Sequence, residues 1–320
     1  MINTGPGWMK VPFRPGQLLF LGTLFFLPVL NPQLFSWLHG LLAVPVFFAL
    51  TTNGRQAGAA LIWVSLLLAG LGALLLQRVE LFFFSLTMVP LGYTLYHSAD
   101  KRESVATSGG KGVAILSLTW LFFWGLYGVT AGFNPYVNLL KVLDFGFQQT
   151  LEVYSSKEAG LSPEVIYNLQ QITNNLRAIT PKLLPGLLAS MTIFTVWVNL
   201  VIANVLAGRQ NNGSLPWGRY SSWKLPDQLI WLPIVAVSLL IVGHGPIQYG
   251  GGCLLLVSGL LYFFQGLAVV IALFERWNVP VLVRIILYFV LLIQSYSVVF
   301  LAVLGLSDVW FNMRQKSDER

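Results

Sequence analysis

The sequence predicts an all-α, polytopic transmembrane bundle of eight or nine spans with an extracytoplasmic amphipathic helical hairpin. Hydrophobic residues make up 56% of the 320-residue chain and charged residues only 10%, far below the roughly 25% typical of soluble domains. Apolar runs recur at about the 20-residue length that crosses a hydrocarbon core. These runs lack the alternation of barrel strands, so they are expected to be helices, which satisfy their own backbone groups in lipid.

Nine apolar segments define the predicted spans. Five lie in the N-terminal region, residues 1–132, at 17–30, 33–52, 57–77, 79–98 and 113–132. A sixth span is 183–206. Three more lie in the C-terminal region, 228–320, at 228–243, 250–275 and 281–307, before a polar tail. The segment 228–243 is short and contains Pro233, so the predicted count is eight or nine.

The basic residues predict the orientation. With a cytoplasmic N-terminus, most cations fall inside: Lys10, Arg14, Arg55, Lys101, Arg102, Lys111, Arg209, Arg219, Lys224 and Arg276. Among the short outside loops only Arg78 is basic. This asymmetry follows the positive-inside rule and predicts a multi-pass protein with its N-terminus in the cytoplasm. It also explains the net charge of +7, because cations near the ends of spans face lipid headgroups. Membrane lipids are therefore the expected partners, and nucleic acid is not.

Residues 133–182 form the predicted hairpin of two amphipathic helices. One face of the first helix carries Tyr136, Leu140, Leu143, Phe147, Leu151 and Tyr154. The stripe of the second carries Val165, Leu169, Ile172, Leu176 and Ile179. Ser162 and Pro163 supply an N-cap and a favoured first helical residue. The hairpin is either a membrane-surface spacer or a lid or partner-docking surface.

The predicted cytoplasmic loop 207–227 combines aromatic and basic side chains. Its notable members are Trp217, Arg219, Tyr220, Trp223 and Lys224. Aromatic residues beside Lys and Arg are typical of the headgroup interface. The alternative interpretation is a docking site for a partner.

Five polar residues inside apolar segments are candidates for a site, because polar groups there usually face the bundle interior. They are Asn199, Asn204, Gln265, Gln294 and Tyr296. Each either makes interhelical hydrogen bonds, which contribute roughly 0.6–2 kcal/mol, or lines a polar cavity. Asp308 ends the last segment.

No catalytic, nucleotide-binding or metal-binding motif occurs in the sequence. His39, His97 and His244 lie far apart, without nearby Cys, Asp or Glu at ligand spacing. The single cysteine, Cys253, excludes an intrachain disulfide. The chain is therefore expected to be neither an enzyme nor a carrier of a metal or cofactor.

The C-terminal third carries a family resemblance in three stretches: `WKLPDQLIWLPIVAVSLL` (223–240), `LYFFQGLAVVIALFERWNVPVLVRIILYFVLL` (261–292) and `LGLSDVWFNMR` (304–314). These resemble the YybS-like family of uncharacterised bacterial inner-membrane proteins. The N-terminal half is similar in layout to the S-components of energy-coupling-factor transporters. That likeness implies a small-molecule site inside a helical bundle and a membrane-embedded coupling subunit as partner.

Two functions follow as expectations. The first is transport, or binding, of an unknown small or lipid-like solute, which requires Gln265, Gln294, Asn199 and Tyr296 to converge on one cavity. The second is a non-catalytic scaffold or accessory subunit of a cell-envelope complex. A scaffold lets polar residues pair from helix to helix and shows an exposed apolar or aromatic patch.

Overall fold

The computed structural model describes residues 15–155, 162–210, 213–294 and 296–314, and within these ranges its regular elements are all helical. The α-helices are α1 (Pro15–Leu30), α2 (Pro32–Phe35), α3 (Ala43–Leu75), α4 (Val79–Leu86), α5 (Val89–Asp100), α6 (Val105–Ala131), α7 (Pro135–Ser155), α8 (Pro163–Gln210), α9 (Trp231–Val242), α10 (Pro246–Arg276), α11 (Val281–Ile293) and α12 (Ser297–Phe311). The all-α class predicted from the sequence is confirmed for these residues.

Five helical stretches of the described chain are long and apolar enough to cross a membrane. They are Ala43–Leu75, Val79–Asp100, Val105–Ala131, Pro163–Gln210 and Pro246–Arg276. A sixth arises if Pro15–Leu30 and Pro32–Leu41, bent by 114° relative to each other, count as one span. Three further apolar helices, Asp227–Val242, Val281–Leu291 and Ser297–Phe311, are shorter. The chain is therefore multi-pass.

The chain divides into two compact units. The first contains the residues up to Trp120 together with Thr192–Lys224, and the second contains Leu121–Met191 and Leu225–Arg320. This division differs from the boundary predicted at residue 132, because part of α8 and the segment after it pack with the N-terminal helices.

A sharp reversal at Gly54 shapes the first unit. Gly54 has φ 77° and ψ 169°, a conformation that breaks α3. A Cβ built on Gly58 would lie 2.7 Å from the carbonyl oxygen of Ala49. Residues nine apart in a straight helix lie about 13.5 Å apart, so the chain turns back on itself at Gly54. The predicted segments 33–52 and 57–77 are thus adjacent and separated by this turn.

Long-range contacts define two ends of the first unit. At one end, Gln210 Nε2 donates to Thr52 Oγ1 (2.7 Å) and Trp217 Nε1 donates to Ser108 Oγ (2.9 Å). At the other end, Arg78 Nη1 donates to the carbonyl oxygens of Val29 (3.1 Å) and Leu30 (2.9 Å). The first end, which we call the basic end, carries Arg55, Lys101, Arg102, Lys111, Arg209, Arg219 and Lys224.

In the second unit, α10 packs against α9 and α12. A Cβ on Gly266 would overlap the carbonyl oxygen of Leu301, and one on Gly305 would overlap that of Tyr262. The pairing of Gly266 with Leu301 and of Tyr262 with Gly305 makes α10 and α12 antiparallel. Their backbones touch at this crossing, as small residues allow in membrane helices.

The predicted segment 281–307 is not one helix, which corrects the sequence analysis. It breaks at Gln294, whose ψ of 111° is extended, into α11 of 13 residues and α12 of 15 residues. These helices are about 20 and 23 Å long, shorter than the roughly 30 Å hydrocarbon core. Continuous hydropathy hid this break because the residues on both sides of it are apolar.

The structure shows two helices in the predicted hairpin region, although the turn at 156–161 lies outside the described residues. Arg177 Nε donates to Asp144 Oδ1 at 2.6 Å, and the Tyr136 hydroxyl donates to the carbonyl oxygen of Pro181 at 3.3 Å. The predicted boundary at 182/183 is absent, because α8 continues through Pro181 and Pro185.

The apolar stripe predicted on the second hairpin helix is largely exposed. Val165, Ile172, Leu176 and Ile179 are each 42–56% exposed. Within residues 163–182 of α8, the buried side chain is that of Thr173, and Leu169 is half-buried. The predicted face of the first helix fits better, since Leu140, Leu143, Phe147 and Leu151 are half-buried.

Candidate functional site

Gln265 lies at the centre of a buried polar network in the second unit. Its side chain is buried on α10, and its Nε2 donates to Asp308 Oδ2 on α12 at 3.2 Å. Its Oε1 accepts the backbone N–H of Leu225 at 3.2 Å. The amide therefore links α10, α12 and the segment that leads into α9.

Asp308 is the buried charge of this network. Arg314 donates to Asp308 Oδ2 through Nε (3.0 Å) and Nη2 (2.7 Å), and the Asp308 side chain is only 3% exposed. Asp308 Oδ1 accepts no hydrogen bond within the described residues, and neither does the buried Tyr262 hydroxyl. A buried carboxylate needs a paired cation, which Arg314 supplies while fastening the residues after α12.

Four of the five predicted polar residues lie outside this network, and two of these four belong to the second unit. Gln294 and Tyr296 flank the break between α11 and α12, and both side chains are exposed, Tyr296 by 77%. The break itself explains their position, since the Gln294 backbone closes α11 and its carbonyl oxygen accepts the N–H of Ser297 at 3.0 Å.

The two asparagines of α8 are buried in the first unit with separate partners. Asn199 Nδ2 donates to the carbonyl oxygens of Gly40 (2.6 Å) and Thr195 (2.8 Å). Asn204 Nδ2 donates to the carbonyl oxygen of Gly218 (2.8 Å), and its Oδ1 accepts the N–H of Trp217 (3.2 Å). Each amide holds an irregular piece of backbone against the helix.

The aromatic residues of the loop 207–227 turn inward, which corrects both their placement at the headgroup interface and the alternative interpretation as a docking surface. Trp217 and Trp223 are 5% and 8% exposed. Trp223 Nε1 donates to the carbonyl oxygen of Trp217 at 2.9 Å, and the half-buried Tyr220 accepts Trp197 Nε1 at 3.2 Å. Both indoles satisfy their N–H inside the protein. Of the proposed docking residues, Arg219 and Lys224 are exposed.

An apolar groove of about 240 Å³ lies in the first unit and is open along one side. Its lining consists of Gln17, Phe20, Leu21, Leu24, Val44, Pro45, Phe48, Ala49, Asn53, Leu61 and Leu206. Phe20 lines it while remaining 62% exposed. The reversal at Gly54 creates the groove, because it places both arms of α3 beside α1. Hydropathy alone could not reveal it.

No group of three or more His, Cys, Asp or Glu side chains comes together within the described parts of the chain. His39 illustrates a structural role: its ring nitrogens lie 3.0 Å from the carbonyl oxygen of Ser36 and 3.4 Å from that of Leu81.

Sequence reasoning missed two parts of these sites. Arg314 falls in the predicted polar tail, with no partner predicted for it, yet it pairs with Asp308 six residues earlier. The signal was present: an Asp at the end of an apolar helix followed by an Arg is a local charge pair. The groove left no such signal, because its residues come from α1, α3 and α8.

The fold and these sites define a multi-pass, all-helical integral membrane protein with buried polar links and an apolar groove. Residues 19–309 match the family described as "Predicted membrane protein (DUF2232)", and the chain belongs to this family. No curated protein and no solved structure matches the chain.

Proposed function

We propose that this protein binds a lipid or lipid-like solute in the groove of its first unit, without catalysing a reaction. The observation that carries the proposal is the groove itself. Its lining is apolar apart from Gln17 and Asn53, and apolar clefts with a few placed polar groups are the usual form of small-molecule sites. The similarity in layout to S-components supports binding, with a membrane-embedded coupling subunit as the partner that this likeness implies.

We further propose eight or nine passes through a bacterial inner membrane with a cytoplasmic N-terminus. The concentration of cations at the basic end supports this orientation. The stretches 15–30, 32–53, 55–75 and 79–100 lead alternately between the two ends, which supports counting 32–53 and 55–75 as separate passes.

Photo-crosslinking tests the binding proposal. The purified protein in nanodiscs is irradiated with a phospholipid that carries a diazirine on its acyl chain, and cross-linked peptides are identified by mass spectrometry. The proposal expects adducts on Phe20, Leu24 or Phe48. Leu24→Trp, which fills the groove, should remove them, whereas Leu19→Trp, on the same helix outside the lining and 65% exposed, should keep them. Equal labelling of the wild type and Leu24→Trp would mean that lipid only coats the surface.

The scaffold function remains the second candidate, favoured by the polar links and the exposed stripe. Gln265, Asn199 and Asn204 all pair inside their own units. Native gels of solubilised membranes test it: Ile172→Glu with Leu176→Glu should release the protein from a larger assembly. A matched Asn174→Glu, on an already polar position, should not. An unchanged assembly in the stripe variant would exclude this surface.

A further inference from the structure

The polar residues of the groove lie at one of its ends. Along α3, the lining runs from Val44 to Asn53, nine residues or about 13.5 Å. That distance is about half the hydrocarbon thickness, the depth of one leaflet. Asn53 and Gln17 are at the end near the α3 reversal and the start of α1, while Leu24 and Val44 lie deeper.

This polar end lies at the basic end of the unit. Asn53 lies two residues before Arg55, and the neighbouring Thr51 donates to Gln210 Oε1 at 3.2 Å, beside Arg209. Arg55 and Arg209 are both exposed. Within the described residues, neither is paired with a carboxylate.

The acidic residues near this end do not neutralise it. Among the described residues of the first unit, Asp100 and Glu103 are the acidic residues near these cations, and Glu103 is already bound to Lys111 at 2.5 Å. A ligand that fits must therefore combine an apolar chain of one-leaflet length with a negative charge at its end. Arginine is well suited to the charge, since its planar fork binds phosphate oxygens in pairs.

We propose that the groove holds one acyl chain of an anionic phospholipid, with its phosphate bound at the basic end by Arg55 and supported by Arg209. This inference rests on the proposed lipid-binding function and specifies the headgroup class. A zwitterionic lipid fits the same groove but brings no net charge to the unpaired guanidinium groups. The protein therefore selects anionic over zwitterionic lipid.

The experiment compares two diazirine phospholipids with identical acyl chains, phosphatidylglycerol and phosphatidylcholine, in otherwise phosphatidylcholine nanodiscs. The wild type should cross-link phosphatidylglycerol in the groove several-fold more than phosphatidylcholine. Arg55→Gln should lower that preference toward unity, because it should reduce phosphatidylglycerol adducts more than phosphatidylcholine adducts. The matched control is Arg219→Gln, which removes one exposed cation from the same end without touching the lining.

The outcomes separate the two proposals. Loss of the preference in Arg55→Gln alone supports the headgroup site. Equal loss in Arg219→Gln overturns it, because the effect is then the general surface potential of the basic end. Groove adducts with no headgroup preference in the wild type also overturn it and leave the lipid-binding function standing. Absence of groove adducts from both lipids overturns the proposed function itself.

Discussion

Two neighbouring residues on α10 serve the same helix contact in different ways. Gln265 reaches across to Asp308, while Gly266 lets the α12 backbone approach. The hydrogen bond requires this approach, since a side chain of that length reaches its partner only where the helices are close. Gln265 and Gly266 together therefore form a structural link between α10 and α12.

Gly266→Ala should destabilise the protein strongly. The added methyl would overlap the Leu301 carbonyl oxygen, a backbone atom that cannot rotate away. Overpacking typically costs about 1–3 kcal/mol and occasionally more, and we expect the upper part of this range. The measurement is thermal unfolding in detergent, followed by tryptophan fluorescence.

Gly259→Ala is the matched control, because the same helix has open space at that position. Alanine favours helix over glycine by about 0.5–1 kcal/mol, so this variant should be neutral or slightly stabilised. Similar destabilisation by both substitutions would contradict this expectation, because the cost would then not arise at the α10–α12 crossing.

At the scale of elements, the connection between α5 and α6 is held by one carboxylate. Glu103 accepts Lys111 Nζ at 2.5 Å and the Ser98 hydroxyl at 2.9 Å. The pKa of Glu103 is held below its ordinary value of 4.5, mainly by the hydrogen bond from Lys111 and to a smaller extent by that from Ser98. Glu103 lies between α5 and α6, outside the apolar parts of both helices, so its carboxyl exchanges protons with the solvent.

The lowered pKa predicts a pH-dependent contribution to stability. The unfolded chain binds a proton at Glu103 near pH 4.5, whereas the folded chain binds it only at lower pH. The stabilisation is therefore fully present above pH 4.5 and is lost as the pH falls through the folded-state pKa. Melting temperatures of the wild type and Glu103→Gln should differ near neutral pH and converge in acid. A constant difference at all pH values would contradict this assignment.

Prediction from sequence succeeded for helices whose signal is local. Ser162 and Pro163 marked the start of α8, where the Val165 N–H donates to Ser162 Oγ at 3.4 Å. The interruption at Gly54 falls between the predicted segments 33–52 and 57–77. The break at Gln294 was harder to predict, because a glutamine in an apolar stretch also occurs in straight helices. Whether such a residue bends the chain depends on what packs beside it.

For the whole molecule, the two ends of the first unit are expected on opposite sides of the membrane. In a Cys253→Ala background, a single cysteine at Gln56, exposed at the basic end, should react with an impermeant maleimide only after the cytoplasmic face is opened. A cysteine at Glu80, exposed at the other end, should react in intact cells. Labelling of both from one side would refute the proposed topology.

The sequence by itself determined that this protein lies in a membrane, that it is helical, and that its basic residues are distributed unevenly between the ends of its spans. Each depends on composition or on residues near in the chain: apolar length specifies a membrane helix, and cations beside it specify an end. Only the tertiary structure decided that Trp217 and Trp223 face inward, that Asp308 pairs with Gln265 and Arg314, and that α1, α3 and α8 form a groove. In an almost uniformly apolar chain many helix pairings are compatible with hydropathy, so close packing selects among them.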